Sequence, residues 1–211
     1  MSTLASALSA GMIGFTRLLT GVQARWEGCA PLPRQRIYFA NHSSHADIVL
    51  IWAALPVALR RATRPVAGAD YWYQTSLRRY IIDEVIRAVL IDRSGTMNLG
   101  DPIGCMETAL HGGDSLILFP EGTRNTTDER LLPFKSGLYR LACACPEVEL
   151  VPTWIANVGR VLPKGATIPI PLLCSVTFGQ PISRVADESR GAFLTRARTA
   201  LLALGEAAQP A

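Results

Sequence analysis

SLILFPEGTR, Ser115 to Arg124, runs from four strand-like residues into a turn that carries a proline, an acid, a glycine and an arginine. A short apolar run bounded by turn residues reads as a buried strand of a covered sheet. Pro120 fixes the exit from it, Gly122 lets the backbone approach a ligand closely, and Arg124 presents a planar fork suited to phosphate. Glu121 cannot bind phosphate directly, but it can orient Arg124 or Arg93, or accept a hydrogen bond from a substrate hydroxyl. A plain turn locked by an internal ion pair is the competing reading.

The same pattern recurs on either side. Arg36 to Ala40 reads as a strand ending at Asn41-His42, Pro65 to Ala69 as another, and Ala88 to Asp92 as a third, followed by Arg93. Glu149 to Ala156, interrupted by Pro152, and Leu172 to Phe178 complete the strands. Helical spacing covers Asp47 to Leu59 with Pro56 bending or ending it, Gln74 to Arg87, Ile103 to His111 before Gly112-Gly113, Ser136 to Cys145, and Ser189 to Leu204. Short apolar strands alternating with helices predict an α/β fold: one domain around a mostly parallel central sheet covered by helices. In such sheets ligands bind at the strands' C-terminal edge, where His42, Arg93 and Arg124 all fall.

Asn41-His42-Ser43-Ser44-His45-Ala46-Asp47 crosses the first strand-to-helix junction. Positions five apart on a straight helix lie about 140° from each other, so His42 and Asp47 meet only if His42 precedes the helix and folds back. A carboxylate on an imidazole holds one tautomer and stabilises the cation, which is a general-base arrangement. Asn41, Ser43 and Ser44 are also good helix caps. His42, His45 and Asp47 could be read as metal ligands, but a catalytic metal recruits further ligands elsewhere and the chain has 3 His in all. No bound metal is expected.

The chain has 211 residues, 49% of them hydrophobic and 18% charged, with a mean hydropathy of +0.21. No window of about 20 residues is apolar enough for a confident membrane span. The net charge is +4, and all basic residues but Lys135 and Lys164 are Arg. Base composition of the genome or a surface for phosphates and anionic lipid would each produce that excess. There is no basic run or reading motif for nucleic acid. The 5 Cys are odd in number and form no CxxC pair, which fits buried thiols in a reducing compartment. No basic region precedes the first apolar segment, so no secretory signal is expected. Leu4, Leu8, Met12, Phe15, Leu19, Val22 and Trp26 predict one amphipathic face of a helix, read either as packed on the core or as lying in a membrane interface. Arg60, Arg61, Arg64, Tyr71, Trp72, Tyr73, Arg78 and Arg79 form a second basic and aromatic cluster, suited to a headgroup boundary or to an ordinary solvated helix face.

Taken in order, Asn41 to Asp47, Leu90-Ile91-Asp92-Arg93, Phe119 to Arg124, Phe134-Lys135-Ser136-Gly137 and Leu150-Val151-Pro152 resemble the blocks of the glycerolipid acyltransferases typified by lysophosphatidic acid acyltransferase. The resemblance covers about residues 36 to 156 and implies that family's fold over 31–211, preceded by a membrane-associating helix over 1–30. It implies acyl transfer from acyl-CoA or acyl carrier protein, as co-substrates with no other cofactor, to the free hydroxyl of 1-acylglycerol-3-phosphate. Another lysolipid or glycerol 3-phosphate is the alternative acceptor, and a metal-dependent hydrolase the alternative class. In the implied roles His42 is the base and Asp47 its orienter; Arg93, Glu121, Gly122, Thr123 and Arg124 bind the substrate phosphate; Asn41, Ser44 and Pro152 support the site. The implied location is the cytoplasmic face of a membrane, peripheral or monotopic.

Overall fold

The computed structural model describes residues 3–44, 46–92, 95, 97, 99–156 and 174–208. Helix α1 (Thr3–Thr20) leads to strand β1 (Gln23–Trp26), then β2 (Arg36–Ala40), α2 (Asp47–Ala54), α3 (Val57–Arg61) and β3 (Thr63–Gly68). After them come α4 (Ala69–Trp72), α5 (Ser76–Tyr80) continuing as a π-helical stretch Ile81–Ile86, β4 (Val89–Ile91), α6 (Pro102–His111) and β5 (Ser115–Leu118). The chain continues with α7 (Gly137–Ala144), β6 (Glu149–Ala156), β7 (Ser175–Phe178) and α8 (Arg190–Ala207). The strands form one sheet in the order β1-β7-β6-β2-β5-β3-β4. β2 to β6 run parallel, and β7, with β1 parallel to it, runs against β6.

Residues alternate across β2. Tyr38 and Ala40 join Ile48, Ile51, Ile117, Val151 and Phe178 in the apolar layer beneath α1 and α2. Ile37 and Phe39 join Leu116, Leu150, Met106, Leu141, Phe193 and Leu201 beneath α6, α7 and α8. With both faces covered, the central strands are apolar throughout and not alternating, which is the predicted sheet class.

Local chemistry sets the element ends. α2 stops at Ala54 because Pro56 has no N–H and turns Leu55 to an extended ψ of 140°. Asp101 caps α6 through Gly104 N–H with Pro102 in its first turn, and Ser189 caps α8 through Ala192 N–H. β6 is not broken by Pro152. Pro152 C=O accepts from Gly179 N–H, so its missing donor points the same way, just past the last pair with β7, Thr153 and Phe178. The missing donor therefore falls at the end of the β6–β7 pairing, where a proline is tolerated.

The N-terminal segment differs from its predicted form in its length. The helix ends at Thr20, Gly21 takes a left-handed φ of 52°, and Gln23–Trp26 becomes an edge strand paired with β7. The helix also turns its leucines outward. Ala5, Ile13 and Thr20 are its buried residues, while Leu4, Leu8, Phe15 and Leu18 are exposed, Leu18 at 86%. Among the described residues no helix is long and apolar enough to cross a membrane.

Candidate active site

β2 and β5 are neighbours with Phe39 level with Leu118, so His42 and the Phe119–Arg124 turn emerge side by side. The two loops are tied reciprocally. Glu121 Oε1 accepts from His42 N–H at 2.8 Å, and His42 C=O accepts from Asn125 N–H at 2.6 Å. Phe119 lies flat on the imidazole, with centroids 4.1 Å apart and planes 18° from parallel. β2 is also fastened to β6. The Asn41 side chain accepts from Ile155 N–H at 2.8 Å and donates to Ile155 C=O at 3.1 Å, so it continues the ladder one residue past the strand.

His42 folds back on the helix start as its spacing requires. Its Nδ1 lies 2.9 Å from Asp47 Oδ2, which also accepts from the backbone N–H groups of Ser43 at 2.7 Å and Ser44 at 2.8 Å. Three donors on one oxygen of a fully buried carboxylate fix its orientation, and through it the ring's. Among the described residues Asp47 Oδ1 has no hydrogen-bond partner. With Nδ1 engaged, Nε2 is the ring nitrogen left for a ligand.

The imidazole borders a cavity of about 340 Å³ that reaches along the strand edge to β3 and β4. Gly122, Thr123 and Arg124 line one side; Ile48, Val66, Trp72, Ile91 and Leu118 supply an apolar wall. Arg124 is exposed, and its guanidinium has no hydrogen bond or ion pair with the described residues, so it is available to an anion. Gly122 takes a left-handed φ of 70°, and a Cβ there would stand 2.8 Å from Lys135 Cδ. A side chain at that position strains the turn and crowds Lys135.

His42, Asp47, Gly122, Thr123 and Arg124 therefore converge at one edge. Arg93 and His45 lie outside the described residues. Glu121 does not reach the cavity. It is buried with both oxygens engaged, Oε1 on His42 N–H and Oε2 on Leu132 N–H at 2.8 Å. Burial pushes its carboxyl up, and those two bonds pull part of the way back. It holds two loops together, and among the described residues neither of its oxygens meets an arginine. Ser44 is a turn former: its Oγ accepts from Ala46 N–H at 3.2 Å, and the residue preceding α2, Ala46, provides no side-chain cap. Pro152 faces away from the imidazole, into a groove lined by Gly179, Gln180 and Leu204. Sequence reasoning missed Phe119 as the ring under His42, although it adjoins a quoted motif, and missed the apolar wall from β3 and β4, which no motif marks. Among the described residues no three His, Cys, Asp or Glu side chains gather as metal ligands.

Comparison with known proteins bears on this edge. The acyltransferase family model matches residues 24–156. A 1-acyl-sn-glycerol-3-phosphate acyltransferase of Limnanthes douglasii is 30% identical over 175 residues, covering 81% of this chain and 58% of the relative. One from Cocos nucifera is 36% identical over 141 residues, covering 63% of this chain and 43% of the relative. The chain thus spans about half the length of the curated relatives it matches. The crystal structure of the 1-acyl-sn-glycerophosphate (LPA) acyltransferase from Thermotoga maritima superposes with a TM-score of 0.72 at 20% identity, over 98% of this chain and 83% of that one. That likeness is one of fold.

Proposed function

This chain belongs to the acyltransferase family, and on that premise we propose that it moves a fatty acyl group from acyl-CoA or acyl carrier protein to the free hydroxyl of 1-acylglycerol-3-phosphate, making phosphatidic acid. One arrangement carries the reading: an imidazole anchored through Nδ1 by a buried carboxylate borders the same cavity as a guanidinium that no described residue pairs. His42 Nε2 takes the hydroxyl proton as that oxygen attacks the thioester carbonyl. The new C–O bond forms, the C–S bond breaks, and the proton passes from His42 to the departing thiolate. Asp47 stabilises the imidazolium between those events. Arg124, with Arg93 in the role its motif implies, holds the acceptor phosphate so that the hydroxyl lies near His42. The apolar wall of Ile48, Val66, Trp72 and Ile91 suits a hydrocarbon chain.

Both substrates carry long chains, so the reaction runs at a lipid surface. The outward leucines of α1 support a protein that lies on a membrane surface, and the face proposed is the cytoplasmic one. The test is transfer from radiolabelled acyl-CoA to lysophosphatidic acid, comparing the parent with His42→Ala. Loss of general-base help lowers turnover about 10²–10⁴-fold. His42 is partly exposed, so the fold stays intact. Undiminished turnover in His42→Ala overturns the reading.

A further inference from the structure

Away from the cavity, three arginines meet where α1 crosses the end of α2. Arg17 Nε and Nη2 both donate to Ala53 C=O, at 3.0 and 2.7 Å, in the last turn of α2. Arg60 sits in α3 against the same turn, with its backbone C=O accepting from Trp52 Nε1 at 3.2 Å. Arg61 follows it and is exposed.

A cation at a helix C-terminus is an ordinary cap, and that accounts for Arg17. It does not account for Arg60. This residue is only 9% exposed, and among the described residues its guanidinium makes no hydrogen bond and its buried Nη1 has no acceptor. Buried arginines are ordinarily paired with an acid, because an uncompensated buried charge is costly. Among the described residues no carboxylate acts on it: burial pushes the guanidinium down, and Arg17 and Arg61 push it further the same way. A buried guanidinium beside two like charges is a place where an anion is favoured. The surroundings indicate which anion. Phe15, Leu18 and Val57 stand exposed beside these arginines, so an apolar rim borders the charge, as at a headgroup boundary.

We propose that Arg17, Arg60 and Arg61 form a phosphate-binding site separate from the reaction cavity, filled by the headgroup of an anionic membrane lipid. The proposal rests on the reading that the protein works at a lipid surface. Occupancy would set the depth and tilt of α1, because Arg17 belongs to that helix while Arg60 and Arg61 belong to the sheet-bound part of the chain. Arginine fits the task, since its fork holds two phosphate oxygens at once.

The experiment is co-sedimentation with vesicles of phosphatidylcholine, with and without phosphatidic acid. The parent is compared with Arg60→Gln, Arg61→Gln and Arg190→Gln. Arg190 lies on α8, in the opposite layer, so its variant loses the same charge elsewhere. Arg60→Gln should lower binding to the anionic vesicles about tenfold, the scale of a lost charged hydrogen bond. Arg61→Gln, at an exposed side chain, should follow it in direction and serves if Arg60→Gln fails to fold. Arg190→Gln should stay within about twofold, because α8 covers the other face of the sheet. His42→Ala should keep the parent's preference for anionic vesicles, so docking can succeed while the acyl-transfer reading fails. A second arm measures Tm in inorganic phosphate. Protection of the parent but not of Arg61→Gln, together with the vesicle difference, supports recognition of the phosphate group itself. Protection by phosphate without a vesicle difference overturns the lipid assignment. Equal vesicle binding by Arg61→Gln and Arg190→Gln, with no protection by phosphate, overturns the site.

Discussion

Strand β2 has a charged pair at each end, and the two are built differently. At its start, Arg36 is 2% exposed and donates to Glu149 Oε2 at 2.8 Å and to Ala30 C=O at 2.9 Å, while Arg34 takes Glu149 Oε1 at 2.8 Å. Both carboxylate oxygens are occupied. Just past its other end, among the described residues, Asp47 crowds three donors onto Oδ2 and leaves Oδ1 with none, and His42 borders a cavity with one nitrogen uncommitted. The first pair is closed by the protein; the second is held rigid yet left open. A buried ion pair that only joins strands gains from saturation, because each unmet group costs about 1–3 kcal/mol. A pair that must accept a proton keeps one position vacant.

If that contrast is sound, damage at the two ends separates into lost rate and lost stability. The largest effect belongs to Asp47→Asn. The amide cannot hold the imidazole as the carboxylate does, and turnover should fall about 10³-fold or more, the scale of a misheld base. Folding, followed by circular dichroism, should change far less. If Asp47→Asn loses stability but keeps its rate per folded molecule, the open pair is merely structural and the contrast collapses.

Arg36→Leu attacks the closed end. Removing one partner of a buried pair costs about 3 kcal/mol, although Arg34 still reaches Glu149 and softens the loss. Denaturant unfolding should show it as a lower midpoint, and kcat/KM per folded molecule should be that of the parent. A reduced kcat/KM would tie the two ends of β2 together and blur the comparison.

Arg124→Gln sharpens the comparison within the open end. Arg124 has no partner among the described residues, so its removal should leave Tm unchanged. It should raise KM for the phosphorylated acceptor about 10–100-fold, the value of a charged hydrogen bond, with kcat reduced much less. An unchanged KM would remove Arg124 from the phosphate site.

The open end was far easier to read in the sequence than the closed one. His42 and Asp47, five apart across a strand-to-helix junction, permit only one way to meet, and the turn after β5 lands beside them once the sheet is parallel. Local chemistry of that kind is written in spacing. Glu121 shows the limit. Nothing in FPEGTR distinguishes a carboxylate aimed at a ligand from one turned inward onto Leu132 N–H, which lies 11 positions on. Arg36 was silent for the same reason: a buried arginine at a strand's start is explained only by Glu149, which the fold brings to it from far along the chain. The helix α1 was legible in its existence but not in which face would be covered, because that depends on the shape of α2 beneath it.

The smallest effect is a difference in slope against pH, and it compares two glutamates that the fold treats oppositely. Burial raises Glu149, but hydrogen bonds from Arg34 and Arg36 outweigh it and leave the carboxyl below its ordinary value. In the acid window beneath that ordinary value, near pH 4.5, the unfolded chain holds more protons at this site than the native one. Stability contributed there is complete above the window and is lost as pH falls through the depressed value. Burial dominates at Glu121 and raises it instead. Above pH 4.5 the native state then keeps its proton longer than the unfolded chain, so stability from this site declines as pH rises through the window. Tm measured from pH 3 to 6 should therefore respond to Glu149→Gln and Glu121→Gln with changes of slope in opposite senses. Glu149→Gln flattens the loss of stability below pH 4.5, and Glu121→Gln removes a fall above it. Slopes that change in the same sense would mean that Glu121 is governed by its hydrogen bonds and not by its burial, and that the open end is as closed as the other.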